Sequence, residues 1–436
     1  MAGCDAAEPR VHNLPDPRWE DCVRRRRKVC VAYRRGIAQQ PEPPGCVEGL
    51  QFADLLGLSA MSTIYLDHNA TTPIDPAVLE AMLPFLRAEF GNPSSAYPLG
   101  RRAGEAMARA RGEVASLIGA RPEEIVFTGG ATEATNLAIR GAVGKWHQRT
   151  GVVTTTIEHP ATEACCSLLE RSGHPVHRVR VGMEGIVAPE HVADVLDDGI
   201  ALVTIIHAQN EIGTIQPVGD ISRLAKKHGA LVHTDAAQSV GKIPVDVDAL
   251  SVDLLTIAGH KLYAPKGVGA LFVRRDIDIR PLVVGAGQEH GLRPGTENVA
   301  NIVGLGAACA LAGQTLAQFA GQMRELCLLL LARLQAEVPG LRLVGDAEQR
   351  LPNTLNVLFP HASGRVVLEH CPDLMASTGS ACHAESEEPS SILTALGIAR
   401  ELALGAVRLS LGRSSTAGEV ERAAFQLSAA WRRVRS

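Results

Sequence analysis

Leu231-Val232-His233-Thr234-Asp235-Ala236-Ala237-Gln238 and Leu254-Leu255-Thr256-Ile257-Ala258-Gly259-His260-Lys261 decide the fold. Each is a short apolar run that ends in residues able to do chemistry. Such a run, bounded by polar residues, is the mark of a strand buried on both faces, as in a parallel sheet. Runs of the same kind recur at 124–127, 152–155 and 202–206, and all five are expected to be parallel strands. Helical patterns fall between them at 101–118, 161–171, 189–196 and 218–228. This alternation predicts an α/β fold with a parallel sheet covered on both faces. Beyond about residue 315 the pattern changes to a long amphipathic helix, 316–338, with strands near 341–344, 353–358 and 407–411. The expected organisation is therefore an extension at 1–60, a large domain at 75–315, and a smaller α+β domain built from 61–74 and 316–436. Thr63 to Leu66 would supply its first strand.

Composition narrows the function. The chain has 436 residues, a net charge of −4, 3% aromatic and 21% charged residues. A mildly acidic chain with so few stacking residues lacks the basic field of a nucleic-acid binder. The greasiest run, Cys327 to Leu334, falls short of the roughly 18 residues of a membrane span, so no membrane association is expected. Ten cysteines are too few for a disulfide scaffold of this length, which points to free thiols in a reducing, cytoplasmic compartment. The arm at 1–60 holds Arg24-Arg25-Arg26-Arg27-Lys28 and four of those cysteines. It shows no sustained period and reads as disordered. Its acidic residues argue against a targeting peptide, and Cys22 and Cys30 lack zinc-site spacing.

An open α/β sheet binds ligands beyond the carboxyl ends of its strands, and the chemistry sits there. Thr128-Gly129-Gly130-Ala131-Thr132-Glu133 follows one strand and opens a helix, whose free N–H groups could hold a phosphate. Alone it is also an ordinary tight turn. Asp235 and Lys261 end neighbouring strands, and an isolated pair would be a plain salt bridge. An anion site, a carboxylate and a lysine together are what pyridoxal phosphate requires.

Further motifs carry a specific resemblance. Tyr65-Leu66-Asp67-His68-Asn69-Ala70-Thr71-Thr72-Pro73, Gly91-Asn92-Pro93-Ser94-Ser95, Asn210-Glu211-Ile212-Gly213, Arg293-Pro294-Gly295-Thr296-Glu297-Asn298 and Ser377-Thr378-Gly379-Ser380-Ala381-Cys382-His383 occur together with the two opening stretches. In this order they resemble the cysteine desulfurase and selenocysteine lyase family, from about Met61 to near the C-terminus. The resemblance implies a PLP-dependent transferase of fold type I, acting as a homodimer. L-cysteine or L-selenocysteine would be converted to L-alanine, with the chalcogen passed to an acceptor such as an iron–sulfur scaffold or a selenium acceptor.

The resemblance also implies roles. Lys261 would bond the cofactor covalently and later move protons. Asp235 would pair with the ring nitrogen, Gln238 would donate to the phenolic oxygen, and His159 would stack on the ring as an acid–base group. Ala131, Thr132 and His260 would hold the phosphate, with Thr296 reaching the phosphate of the neighbouring subunit. Asn210 would lie near ring and substrate, and Arg408 would clamp the substrate carboxylate, a task suited to its fork geometry. Cys382, as a thiolate, would attack the substrate's sulfur or selenium. Cys165, Cys166, Cys309, Cys327 and Cys371 read instead as packing residues.

Three features depart from common desulfurase patterns. Ala258 replaces a phosphate-binding hydroxyl, His290 stands where arginine is frequent, and 374–383 leans towards the lyase branch. Cysteine and selenocysteine both stay open as substrates. The rival readings are another enzyme of this fold that needs no Cys382, an aminotransferase or kynureninase-like hydrolase, and a non-catalytic sulfur-transfer scaffold.

Overall fold

The computed structural model describes residues 63–145, 148–379 and 388–435. The arm at 1–60 lies outside them, as do Cys382 and His383. The strands are β1 (Ile64–Tyr65), β2 (Ile125–Thr128), β3 (Gly151–Thr155), β4 (Val176–Val179), β5 (Ile200–Ile206) and β6 (Leu231–Asp235). They continue with β7 (Leu254–Ala258), β8 (Gly269–Val273), β9 (Arg342–Leu343), β10 (Thr354–Leu358), β11 (Leu374–Met375) and β12 (Ala406–Ser410). The longer helices are α1 (Pro76–Arg87), α2 (Pro98–Leu117), α3 (Ala131–Val143), α4 (Pro160–Arg171), α5 (Val218–Lys227), α6 (Val299–Glu337) and α7 (Ala417–Val434).

Seven strands form one sheet in the order β2-β8-β7-β6-β5-β3-β4. From β7 to β4 the neighbours are parallel, whereas β8 runs antiparallel to both β7 and β2. The expectation that 124–127 pairs as a parallel strand is thus corrected. That strand points the same way as the parallel set, but its partner is β8, which lies just past the turn-forming Pro265-Lys266-Gly267 and was not anticipated. The edge strand β4 was also unforeseen, because His177 and Arg178 interrupt its apolar run. Helices cover both faces. Val153, Val203, Val232, Leu255 and Phe272 pack into a core that includes the first half of α6, while Val152, Leu202, Leu231, Leu254 and Leu271 point to the opposite core under α3 and α4. Successive strand residues go to opposite faces, as the pleat requires.

Helix α6 is a single element that begins at Val299, not at Leu316. The side chain of Asn298 caps it by accepting from the Asn301 N–H. Ile302, Leu305, Ala308 and Ala312 join the large sheet's core. Met323, Leu326, Leu330 and Leu334 join a second core with Ile64, Leu66, Val407, Leu409 and Trp431. Position 315 therefore falls inside one helix that serves two cores. This second core sits against a three-stranded antiparallel sheet, β12-β10-β9, with β1 pairing β11 in parallel. The sequence-based expectation about membrane spans needs correction too: by length and composition alone, α6 is apolar enough to cross one. Many of its apolar side chains are spent on the protein's own cores, although Leu328 is exposed.

Candidate active site

The strands of the large sheet release their functional residues at one end, around a cavity of about 990 Å³. β6 ends at Asp235, and β7 passes through a single 3-10 turn, Gly259–Lys261, to His260 and Lys261. β2 leads through Gly129 and Gly130 into α3. β3 leads to His159 at the start of α4, β5 leads towards Asn210, and β12 contributes Arg408. Ala131, Thr132, His159, Asn210, Asp235 and Gln238 all line the cavity. His260, Lys261 and Arg408 line it as well.

The phosphate cradle is built from missing atoms. Gly130 is the N-cap of α3 with φ 151°, a conformation that favours glycine, and no side chain caps the helix there. The N–H groups of the first turn, including those of Ala131 and Thr132, have no acceptor within their own helix. They face an otherwise open approach: a Cβ at Gly130 would meet nothing within 4 Å. Ala258 at the end of β7 also lines the cavity and offers no hydroxyl. His260 is anchored nearby through Nδ1 and the Thr71 hydroxyl at 3.2 Å.

Lys261 donates to the backbone carbonyls of Asn69 and Ala70, the latter at 2.9 Å. Burial, aided by the positive Arg408, lowers its amine to about 8. The sign is direct: a lowered pKa makes the neutral, nucleophilic amine abundant nearer neutrality. In cofactor-free protein, acylation of Lys261 followed by peptide mass mapping should rise about tenfold per pH unit up to pH 8 and then level off. A midpoint near the ordinary lysine value of 10.5 would contradict this environment.

Asp235 is 5% exposed and accepts the Ala237 N–H at 2.9 Å. Burial pushes its carboxyl up, while His159, that N–H and Lys261 pull it back. His159 accepts the Ala161 N–H on Nδ1 at 3.1 Å, so in the neutral ring the proton resides on Nε2. Burial lowers its pKa, which favours the neutral ring. Arg408 is buried, and its guanidinium is held by Asp67 at 2.7 Å and the Asn210 carbonyl at 3.2 Å. Its Nε has no hydrogen-bond partner.

Thr296 is exposed and outside this cavity, beside Gly295 with φ 104°. Cys382 lies outside the described residues. The five described cysteines, among them the adjacent Cys165 and Cys166, are buried free thiols, and burial raises the pKa of each. Asn69 and Asp67, quoted in a motif but given no role, turn out to organise the site. Asn69 Nδ2 donates to the Thr354 hydroxyl at 2.8 Å and to the Asn210 carbonyl at 3.2 Å, tying the small sheet to the large one.

The set fits pyridoxal phosphate: an amine of lowered basicity, a buried carboxylate, an imidazole and an open helix start share one cavity. Comparisons with known proteins agree. The family model "Aminotransferase class-V" matches residues 64–423. A cysteine desulfurase of Enterobacter agglomerans is 44% identical over 371 residues, covering 84% of this chain and 92% of that protein. Cysteine desulfurase NifS of Azotobacter vinelandii is 42% identical over 365 residues, covering 83% and 91%. Among solved structures, a NifS-like protein superposes with a TM-score of 0.79 at 37% identity, covering 84% of this chain and 98% of its own. The structure named as SspA in complex with cysteine gives 0.72 at 37% identity, covering 80% and 99%.

Proposed function

The chain belongs to the class V aminotransferase family and is a pyridoxal-phosphate-dependent cysteine desulfurase; on that premise we propose how its own residues divide the work. The observation that carries the assignment is the convergence of Lys261, Asp235, His159 and the start of α3 on one cavity. Bound there, pyridoxal phosphate supplies an electron-withdrawing ring that takes up the electron pair left at the amino acid's α-carbon.

The first turn of α3 and His260 would hold the phosphate, and Asp235 would keep the ring nitrogen protonated. Among the described residues no lysine or arginine forms an ion pair with its desolvated carboxyl, and a protonated nitrogen is the counter-charge that suits it. Gln238 would donate to the phenolic oxygen. Lys261, when its amine is free, is near enough to half-protonation at neutral pH to carry a proton in either direction. His159 offers its Nε2–H to the same cavity. Arg408 binds the substrate carboxylate; it lines the cavity, and its guanidinium is already oriented by Asp67 and Asn210.

Cys382 then acts as the nucleophile. Its thiolate attacks the substrate sulfur, the Cβ–S bond breaks, and the sulfur stays on Cys382 as a persulfide while alanine leaves. The products balance: L-cysteine and a protein thiol become L-alanine and a protein persulfide. The persulfide goes on to an acceptor protein such as an iron–sulfur scaffold. L-selenocysteine is the second substrate in this reading, supported by Ala258 and the segment before Cys382. We further place Thr296 at the neighbouring site of a homodimer, supported by its exposure outside its own cavity, and the protein in a reducing, cytoplasmic compartment, supported by its buried free thiols.

Incubating the purified holoenzyme with L-cysteine, without reductant, tests this reading. The expected result is one alanine per active site in a first turnover, with matching sulfane sulfur on the peptide containing Cys382. Sulfur released without any protein-bound intermediate, or transamination in place of alanine, would sink it. Sedimentation of the same sample is expected to give the mass of a dimer.

A further inference from the structure

Behind the cavity wall lies Lys242, 4% exposed and absent from the lining. Its Nζ donates to Gln238 Oε1 at 2.6 Å and to Asn69 Oδ1 at 2.8 Å. Both acceptors are neutral amide oxygens, whereas a buried lysine ordinarily needs a carboxylate. Burial holds its ammonium well below the usual range, and Lys261 and Arg408 push in the same direction. A neutral amine still has two N–H groups, which match the two oxygens it meets.

We propose that Lys242 is a positioning residue for desulfuration: it locks the side-chain amide of Gln238, and the Asn69 segment beside it, in the orientation that faces the cofactor and Lys261. The inference rests on the reading of Gln238 as donor to the cofactor. Gln238 Nε2 donates one hydrogen to the Asn69 carbonyl at 2.9 Å, which leaves its second hydrogen for the cavity. Flipping that amide would set Oε1 against the Asn69 carbonyl, two acceptors face to face, and would take away the oxygen that Lys242 now meets. Asn69 is held the same way. Its Oδ1 also accepts from Asn353 at 3.3 Å, and its Nδ2 is committed to Thr354 and Asn210. The same Asn69 carbonyl receives Lys261, so an error in this amide network would reach the amine directly.

Lys242→Met and Lys242→Gln, compared with Gln238→Leu and the double variants, test the proposal in the holoenzyme. Both Lys242 variants are expected to lower kcat/KM about 10- to 100-fold, the scale of a misoriented catalytic contact. They should also move the visible absorbance of the bound cofactor in the same direction as Gln238→Leu. In the Gln238→Leu background neither should move it further, because coupled residues are not additive. Should Lys242→Met not fold, Lys242→Gln, which keeps a polar group among the amides, carries the test. A Gln238→Leu shift that both Lys242 variants fail to reproduce, or shifts that simply add, would reduce Lys242 to packing. An unchanged absorbance in Gln238→Leu removes the reading of Gln238 itself, and the proposal with it.

Discussion

Lys261→Arg is expected to be as inactive as Lys261→Ala, each about 10³-fold or more below wild type in alanine release at saturating pyridoxal phosphate. The comparison matters because arginine keeps the positive charge. What it cannot do is release a proton within any accessible pH. In the structure the Lys261 amine is desolvated, faces the carbonyls of Asn69 and Ala70, and has its pKa lowered to about 8. Those surroundings disfavour a permanent cation and favour a group that alternates between amine and ammonium. If Lys261 served only as a fixed charge, arginine would recover a large part of the rate. Turnover by Lys261→Arg above about one tenth of wild type would therefore exclude the proton-carrying role. Borohydride reduction followed by peptide mapping gives a second reading: the cofactor's mass should appear on the Lys261 peptide of the wild type and on neither variant.

Much of this site could be read in the chain before its structure, for a physical reason. Asp235 and Lys261 each end a buried strand, so a continuous apolar run both forms the strand and marks where its polar end emerges. The helix start at Ala131 is announced by the paired glycines that make the turn possible. What stayed hidden depends on contacts between distant segments. Asp67 orients Arg408 across 341 positions, and Asn69 meets Thr354 across 285. Neither an aspartate nor an asparagine in a loop carries a local sign of such a partner. Lys242 follows Gln238 by four positions, yet nothing in that spacing says that an amine will sit between two amide oxygens.

The fold shows the same division. The first half of α6 is silent in the sequence because its Gly- and Ala-rich stretch gives little helical period. Gly306 explains that choice: a Cβ there would stand 2.5 Å from Cα of Ala110, so small residues let α6 lie close against α2. Strand β8 follows a turn and pairs against the direction of its neighbours, which composition does not reveal.

Cys382→Ala should abolish alanine formation from L-cysteine, a loss of about 10³-fold or more for an essential nucleophile, while leaving a measurable rate on L-selenocysteine. The asymmetry follows from the chalcogen's electrophilicity. For alanine to form, the electron pair of the Cβ–chalcogen bond stays on Cβ and the chalcogen passes to a thiolate, so in the variant a small thiol added to the buffer must take it. Selenium is the larger, more polarisable and more electrophilic atom and its bond to carbon is weaker, so a dissolved thiol suffices for selenium where sulfur needs the positioned thiolate of Cys382. The residues that labilise the bond, Lys261, Asp235 and His159, are untouched by the substitution. Alanine release is to be measured on both substrates in buffer containing a small thiol as chalcogen acceptor, with wild type and variant at equal cofactor occupancy. Loss of both activities would mean that Cys382 is required for the cavity to function at all. Retention of cysteine desulfuration would remove it from the mechanism and return the chain to the rival reading, an enzyme of this fold that needs no thiol.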